Sequence, residues 1–376
     1  MRIGIDARYL SHGIVGGVHT YVSYLIPALI QSAPDTDFYL YADTKRPFEL
    51  DELPENVVVR YLPYRNGFSS VYNDFLGVRQ AMAADHLDVA HFPANYGLGP
   101  KNVRTMITLH DQVNVLPLRE IIRGHRKNLK SIAMMTYLHL CSTTTVRGTD
   151  LVVTMSNYSR QEILKYVDIA PDRVVVWTNG PSPHLHEITD QATLCDVRER
   201  HQLTKPFVIA DAIKNPRVVV EAWQLLPADL RERYQIVFFS RTPTPPQPVF
   251  DAVAKGDARL LVRPSNEDLW ALYSMAEVLA FPSWYEGLGL PLLEAMTCGA
   301  PVVASDRGSI PEVVGDAGLV CDVDDIATFA RHLTTVLSDP EEHERLRQLG
   351  YQRATQFTWD KTAQAYLDFY KRVSQL

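Results

Sequence analysis

Cysteine is scarce in this chain: Cys141, Cys195, Cys298 and Cys321 are the four among 376 residues, and no two form a CxxC pair. That spacing excludes a zinc knuckle, a dithiol redox pair and a disulfide framework, and it fits a reducing compartment such as the cytoplasm. Long apolar runs are missing too. The amino terminus, MRIGIDARYL, has no apolar stretch of signal-peptide length. The nearest candidate for a span, Ile132–Leu140, carries His139 and falls far short of the roughly 20 residues that a bilayer requires. Positive charge is not in excess, with 37 Lys+Arg against 44 Asp+Glu and a net charge of -7, which excludes a nucleic-acid partner held by bulk charge. GxGxxG and GxxxxGK[ST] are both absent, so the dinucleotide fingerprint and the P-loop are excluded. Low-complexity tracts and short-period repeats are absent as well.

What the chain does contain is an ordinary globular composition, 46% hydrophobic and 22% charged, over a length that suits two domains. Short β-branched runs alternate with amphipathic stretches. Strands are expected at Arg2–Asp6, Phe38–Tyr41, Val57–Tyr61, Val89–Phe92, Thr105–His110, Leu151–Ser156 and Val174–Thr178. The second half repeats the pattern at Phe207–Ala210, Gln235–Phe239, Arg259–Val262, Glu277–Ala280, Pro301–Ala304 and Gly318–Cys321. Helical spacing separates several of these, as at Val18–Ile30, Ser70–Ala84, Ser159–Tyr166, Arg217–Leu226, Asn266–Met275 and Pro291–Cys298. Such alternation implies an α/β fold with parallel, doubly wound sheets. The Gly and Pro cluster Asn179-Gly180-Pro181-Ser182-Pro183 sets the boundary, giving domains 1–179 and 180–357. In sheets of this kind ligands bind beyond the carboxyl ends of the strands.

The richest segment runs from Pro282 to Pro301, PSWYEGLGLPLLEAMTCGAP. Pro291 suits the first turn of a helix, and Gly299 with Pro301 ends it. Gly287 and Gly289 stand just before that helix, where missing side chains let the backbone N–H groups of Gly287, Leu288, Gly289 and Leu290 approach a ligand. A helix N-terminus with bare amides suits an anion. Glu286 and Glu294 bracket it, and carboxylates accept hydrogen bonds from sugar hydroxyls, so the set suits a nucleotide sugar with hydroxyls on either side of a diphosphate.

This string resembles the E-x7-E signature of retaining glycosyltransferases of family four, and PSWYEGLGLPLLEAMTCGAPVVAS matches that family nearly position by position. The resemblance continues along the chain. Gly16-Gly17 before an amphipathic stretch is similar to the family's glycine turn beside the donor phosphates. Thr108-Leu109-His110-Asp111 resembles its HD step, where the His contacts the transferred sugar. Lys214-Asn215 before Pro216 resembles its Lys-Asn, and Leu261-Val262-Arg263-Pro264 the stretch that frames the base. Phe357–Tyr366 is like the terminal helix, expected over about 358–376, that returns to the first domain. The implied fold is GT-B, two facing Rossmann-like domains with a cleft between them.

The implied activity is metal-independent transfer of a hexose from a nucleoside diphosphate sugar to a hydroxyl of a glycan or lipid-linked glycan, with retention and front-face attack. GDP-mannose is preferred over UDP- or dTDP-sugars. The expected roles are His110, Glu286 and Lys214 in catalysis, and Gly16, Gly17, Asn215, Arg241, Arg263, Gly287, Leu288, Gly289, Leu290 and Glu294 in donor binding, with no cofactor and no metal.

One departure stands out. The Arg that the family places in the loop after the first strand of its second domain is missing from Phe207–Pro216, and Arg241, after the Gln235–Phe239 strand, is the candidate replacement. Asp322-Val323-Asp324-Asp325 looks like a metal-binding DxD but stands where a helix cap belongs, and His184-Leu185-His186 lacks a third ligand. Arg119, Arg123, Arg126, Lys127 and Lys130 form a basic cluster suited to peripheral contact with an anionic membrane at its inner face. A non-catalytic nucleotide- or glycan-binding subunit, and a sugar epimerase or phosphorylase of the same fold, stand as alternatives.

Overall fold

The computed structural model describes residues 1–11, 17–45, 53–123 and 128–376. It divides into two compact units, one of Met1–Asn179 with Thr358–Leu376, the other of Gly180–Phe357. In the first, β1 (Arg2–Asp6), β2 (Asp37–Asp43), β3 (Val57–Leu62), β4 (Val89–Phe92), β5 (Arg104–Leu109), β6 (Leu151–Thr154) and β7 (Val174–Val176) form one parallel sheet in the order β3-β2-β1-β4-β5-β6-β7. In the second, β8 (Phe207–Asp211), β9 (Gln235–Ser240), β10 (Ala258–Val262), β11 (Val278–Phe281), β12 (Val302–Ser305) and β13 (Gly318–Cys321) follow the order β10-β9-β8-β11-β12-β13. Both units are therefore α/β and Rossmann-like. The chain reverses its direction of winding between β1 and β4 in one sheet and between β8 and β11 in the other.

Central strands such as Val89–Phe92 and Val278–Phe281 are buried along their whole length, because helices cover both faces of a parallel sheet. The covering helices show why they form. Pro216 opens Pro216–Leu225, which turns Val218, Val219, Ala222 and Trp223 inward. Ile326–Ser338 buries Phe329, Ala330, Leu333, Val336 and Leu337, and its cap is Asp325, which accepts from the Thr328 N–H. Of the DxD-like acids, Asp325 thus serves the helix start, while Asp322 and Asp324 pair with Arg307 at 3.3 and 3.6 Å; among the described residues no group of three or more His, Cys, Asp and Glu is placed to hold a metal ion. In the first unit the terminal helix Trp359–Ser374, capped by Thr358, buries Trp359, Thr362, Ala363, Tyr366, Leu367, Tyr370 and Val373 against the helix Gly17–Ser32 and strands β4 and β5.

Several segments differ from the pattern reading. Strand β5 stops at Leu109, so His110 lies one residue past the strand. The stretch expected as one helix over 70–84 contains a π-helical turn at Asn73–Gly77. Asn73 donates from Nδ2 to the Pro63 carbonyl at 3.1 Å, while the next residue, Asp74, pairs with Arg8 at 2.8 Å. Two consecutive polar side chains are thus held inside at this turn. The 20-residue helix Leu129–Gly148 was not legible, because its buried residues are Ser142, Thr143, Thr145 and Val146 rather than an apolar stripe. No described helix is long and apolar enough to cross a membrane.

Arg8 is the electrostatic tie beneath the first sheet's edge. It is 5% exposed, pairs with Asp6 at 2.7 Å and with Asp74 at 2.8 Å, and joins the end of β1 to the π turn. Burial works against its charge, and the two carboxylates more than offset that effect. Arg8→Ala should therefore leave two buried carboxylates without a counter-charge and cost about 3–5 kcal/mol in urea unfolding. A loss under about 1 kcal/mol would show the network to be dispensable.

Candidate functional site

In the first unit the carboxyl ends of β4 and β5 meet at His110. Asn95, with φ of 66°, accepts from the His110 backbone N–H through Oδ1 at 2.8 Å. The His110 Nε2 lies 2.8 Å from the Pro93 carbonyl, which can only accept, so Nε2 carries the proton and Nδ1 keeps its lone pair. Burial drives the His110 pKa down to about 4 despite the Pro93 carbonyl, so the ring is neutral at physiological pH. A neutral imidazole protonated at Nε2 can accept from a hydroxyl at Nδ1. The Tyr21 ring packs against it in a T-shape, with centroids 4.6 Å apart and planes at 86°.

In the second unit the residues after β8, β9 and β11 converge. Lys214 Nζ lies 2.7 Å from Glu286 Oε1, and Ser283 Oγ donates to the same oxygen at 2.7 Å. Asn215, at φ 56°, precedes the Pro216 helix and donates from Nδ2 to the Pro282 carbonyl at 3.0 Å, tying the β8 loop to the β11 loop. Ser305 Oγ holds the Ser283 carbonyl at 2.6 Å, and the Ser309 N–H and Oγ hold that of Glu286 at 3.3 and 3.1 Å. Gly308 must be glycine there, since its φ is 62° and a Cβ would sit 2.8 Å from the Glu286 carbonyl oxygen. Gly289, at φ 86°, caps the Leu290–Thr297 helix. The loop is thus fixed by its backbone and by the ends of three strands, while its N–H groups precede a helix N-terminus.

Glu294, on the second turn of that helix, has its pKa raised by burial, with the Arg241 charge and the nearby Tyr273 hydroxyl drawing it back. Asp211, at the end of β8, is also raised by burial and lies in the field of Lys214, Glu286 and Arg241. Tyr273 Oη is buried beside these acids. Arg263, at φ 52°, donates from Nε to the Arg241 carbonyl at 3.2 Å, so the ends of β9 and β10 are joined as well.

The second unit therefore gathers Lys214, Asn215, Arg241, Arg263, Glu286, Gly287, Leu288, Gly289, Leu290 and Glu294 at the carboxyl edge of one sheet. His110 and Gly17 belong to the first unit, where a Cβ on Gly17 would meet nothing within 4 Å. Gly16 lies outside the described residues. So do the side chains of Arg123, Arg126 and Lys127, whereas Arg119 and Lys130 are described and exposed. His186 Nδ1 contacts the His184 carbonyl at 2.8 Å, an internal turn contact. Pattern reading missed Asp211, Tyr273, Ser283 and the Gly308-Ser309 pair. An acid closing an apolar strand, and Gly-Ser-Ile-Pro before a helix, were the available signals for Asp211 and Gly308-Ser309; nothing in the spacing marks Tyr273.

Comparison with known proteins identifies the family. Two family models match, Glycosyltransferase Family 4 over residues 15–184 and Glycosyl transferases group 1 over residues 210–353. The chain is 31% identical over 303 residues to O-antigen chain mannosyltransferase B of Escherichia coli, covering 78% of this chain and 77% of that protein. It is 28% identical over 239 residues to the serotype-specific mannosyltransferase WbdA of Escherichia coli, covering 60% of this chain but 29% of that longer protein. The crystal structure of WaaG, a glycosyltransferase involved in lipopolysaccharide biosynthesis, superposes with a TM-score of 0.71 at 14% identity, over 98% of this chain and 99% of that one.

The His environment predicts an acid-side instability. His91, buried with Nδ1 and Nε2 both hydrogen-bonded, is pushed down to about 3 by burial and by the neighbouring His110. Both folded-state values lie below the ordinary 6.5, so the folded protein binds fewer protons than the unfolded chain between them. Stability should be full above pH 6.5 and fall as the pH drops towards 4. In thermal unfolding across pH 4–8, His110→Gln, which does not titrate, should flatten part of that slope; an unchanged slope would contradict the assignment.

Proposed function

The chain belongs to the family-four glycosyltransferases, and from that premise we propose that it transfers mannose from GDP-mannose to a hydroxyl of a growing glycan, with retention at the anomeric carbon. The observation that carries this reading is the Lys214–Glu286 pair at 2.7 Å, seated where the second sheet reverses its winding and flanked by the N-termini of the Pro216 and Leu290 helices. Likeness to O-antigen chain mannosyltransferase B supports the choice of sugar.

The difficult event is departure of the diphosphate while the sugar becomes oxocarbenium-like. Lys214 and Arg241 supply positive charge for the leaving group, and the amides of Gly287, Leu288, Gly289 and Leu290 supply donors that need no reorganisation. This set acts without a metal. Glu286 accepts from hydroxyls of the mannosyl ring, Glu294 from those of the ribose, and Arg263 stacks on the base. His110 Nδ1 accepts from a hydroxyl of the transferred sugar. The acceptor oxygen forms its bond to the anomeric carbon on the face from which the phosphate oxygen leaves, and the acceptor proton passes to that phosphate. First-unit residues receive the acceptor. Phe68 and Leu129 are 87% and 88% exposed, and Leu129 adjoins exposed Lys130, which supports peripheral contact with anionic lipid that brings a lipid-linked acceptor within reach.

A thermal-shift panel of GDP, UDP, dTDP and ADP with their sugars tests the donor, because a ligand of the folded state raises the melting temperature. GDP-mannose should give the largest rise, and a larger rise with another nucleotide sugar would overturn that choice. Binding without transfer or donor hydrolysis would point to a binding subunit instead. Arg241→Ala should weaken donor binding about tenfold while the protein stays folded, as loss of one charge-assisted contact implies; unaltered affinity would remove Arg241 from the site. At low salt the protein should co-sediment with anionic but not neutral vesicles, and recovery in the supernatant would count against membrane contact.

A further inference from the structure

We propose that the terminal helix takes part in turnover through Tyr366, a positioning residue that sets the plane of the His110 ring by way of Tyr21. The proposal rests on the reading that His110 meets the transferred sugar, and it concerns residues of the first unit alone.

His110 is held on two sides, by the Pro93 carbonyl at Nε2 and by the perpendicular Tyr21 ring. The direction of the Nδ1 lone pair therefore depends on where the Tyr21 ring stands. Tyr21 in turn has little freedom. Its hydroxyl donates to Tyr366 Oη at 2.6 Å and lies 3.3 Å from Thr108 Oγ1, while its ring packs on Trp359 with centroids 5.7 Å apart. Trp359 and Tyr366 both come from the terminal helix.

The oxygens extend into a closed, buried set. Tyr366 Oη is 3.0 Å from Thr108 Oγ1, Thr108 Oγ1 is 2.9 Å from His91 Nε2, and His91 Nδ1 is 2.8 Å from Tyr370 Oη. One assignment uses every proton once. Tyr370 donates to His91 Nδ1, His91 Nε2–H and Tyr366 donate to Thr108, Thr108 donates to Tyr21, and Tyr21 donates to Tyr366. The reverse orientation of His91 leaves the Tyr370 proton with no acceptor in the cluster. Phenylalanine at positions 21 and 366 would fill the same space, so the hydroxyls are not needed for packing. A fully satisfied buried network specifies one geometry where an apolar contact would allow several. What it specifies here is the rotation of Tyr21, and through it His110.

Turnover and donor KM for Tyr366→Phe, Tyr21→Phe, His110→Ala and the Tyr366→Phe/His110→Ala double variant test this, with melting curves as the folding control. Tyr366→Phe should lower kcat about tenfold, the scale of a misplaced reacting group, with donor KM within about twofold. In the His110→Ala background the same change should lower kcat by less than about twofold, since its effect passes through the missing ring. Loss of the same size in both backgrounds, or unchanged kcat in Tyr366→Phe, would overturn the proposal while the His110 reading stands. Unchanged kcat in His110→Ala would overturn the reading and the proposal together. Should Tyr366→Phe fail to fold, Tyr21→Phe breaks the same oxygen pair from the other side and is judged by the same two comparisons. As a readout free of activity, 15N spectra of histidine-labelled protein should show the Nε2–H tautomer at His110, with ring 15N shifts that move in the Phe variant as the ring turns; unmoved shifts would also overturn it.

Discussion

All eleven strand pairings among the described residues are parallel, and the placement of the chemistry-bearing residues depends on that constraint. A parallel strand must be reached by a crossover, so helices cover both faces and every carboxyl end lies on one edge of its sheet. Where winding reverses, beside β1 and β4 or β8 and β11, the loops diverge and leave room. Lys214 and Asn215 leave β8, Arg241 leaves β9, Glu286 leaves β11, and His110 leaves β5 next to the Pro93 turn.

The two edges are prepared in different ways. In the second unit the Pro282–Leu290 loop is fixed by its carbonyls, several of them taken by a side chain or amide from another strand end. Charges there are balanced locally: Lys214 against Glu286, Arg241 against Glu294 and Asp211. In the first unit the edge is electrically quiet. His110 and His91 are held neutral by burial, and the ionic tie of Arg8 joins β1 to the π turn. One edge thus carries a neutral acceptor, and the other a cationic, amide-rich loop.

Much of this was legible in local pattern. The string from Pro282 to Pro301 carries its strand end, glycine turn, Pro-started helix and paired acids within one loop and helix, because each of those features is specified by near neighbours. Asn266–Met275 was readable from end to end for the same reason, with Ser265 as cap and Glu267 and Asp268 in the first turn. The helix Leu129–Gly148 was not, since it buries hydroxyl-bearing residues that carry no apolar signal. Tyr273 was invisible too: a tyrosine on an amphipathic helix reads as core, and only the fold brings its hydroxyl beside Glu294, Asp211 and Arg241.

The sequence by itself determined the α/β alternation, the parallel winding and the motif around Glu286 and Glu294, since these depend on residue type at fixed local spacing. Tertiary structure alone decided which distant groups meet. Tyr21 and Tyr366 stand 345 positions apart and share a hydrogen bond, while Arg8 reaches Asp74 in the π turn across 66 positions. Such contacts result from the return of the terminal helix to the first unit and from the need to satisfy every buried donor and charge. That need is met across the fold and leaves no periodic mark in the chain.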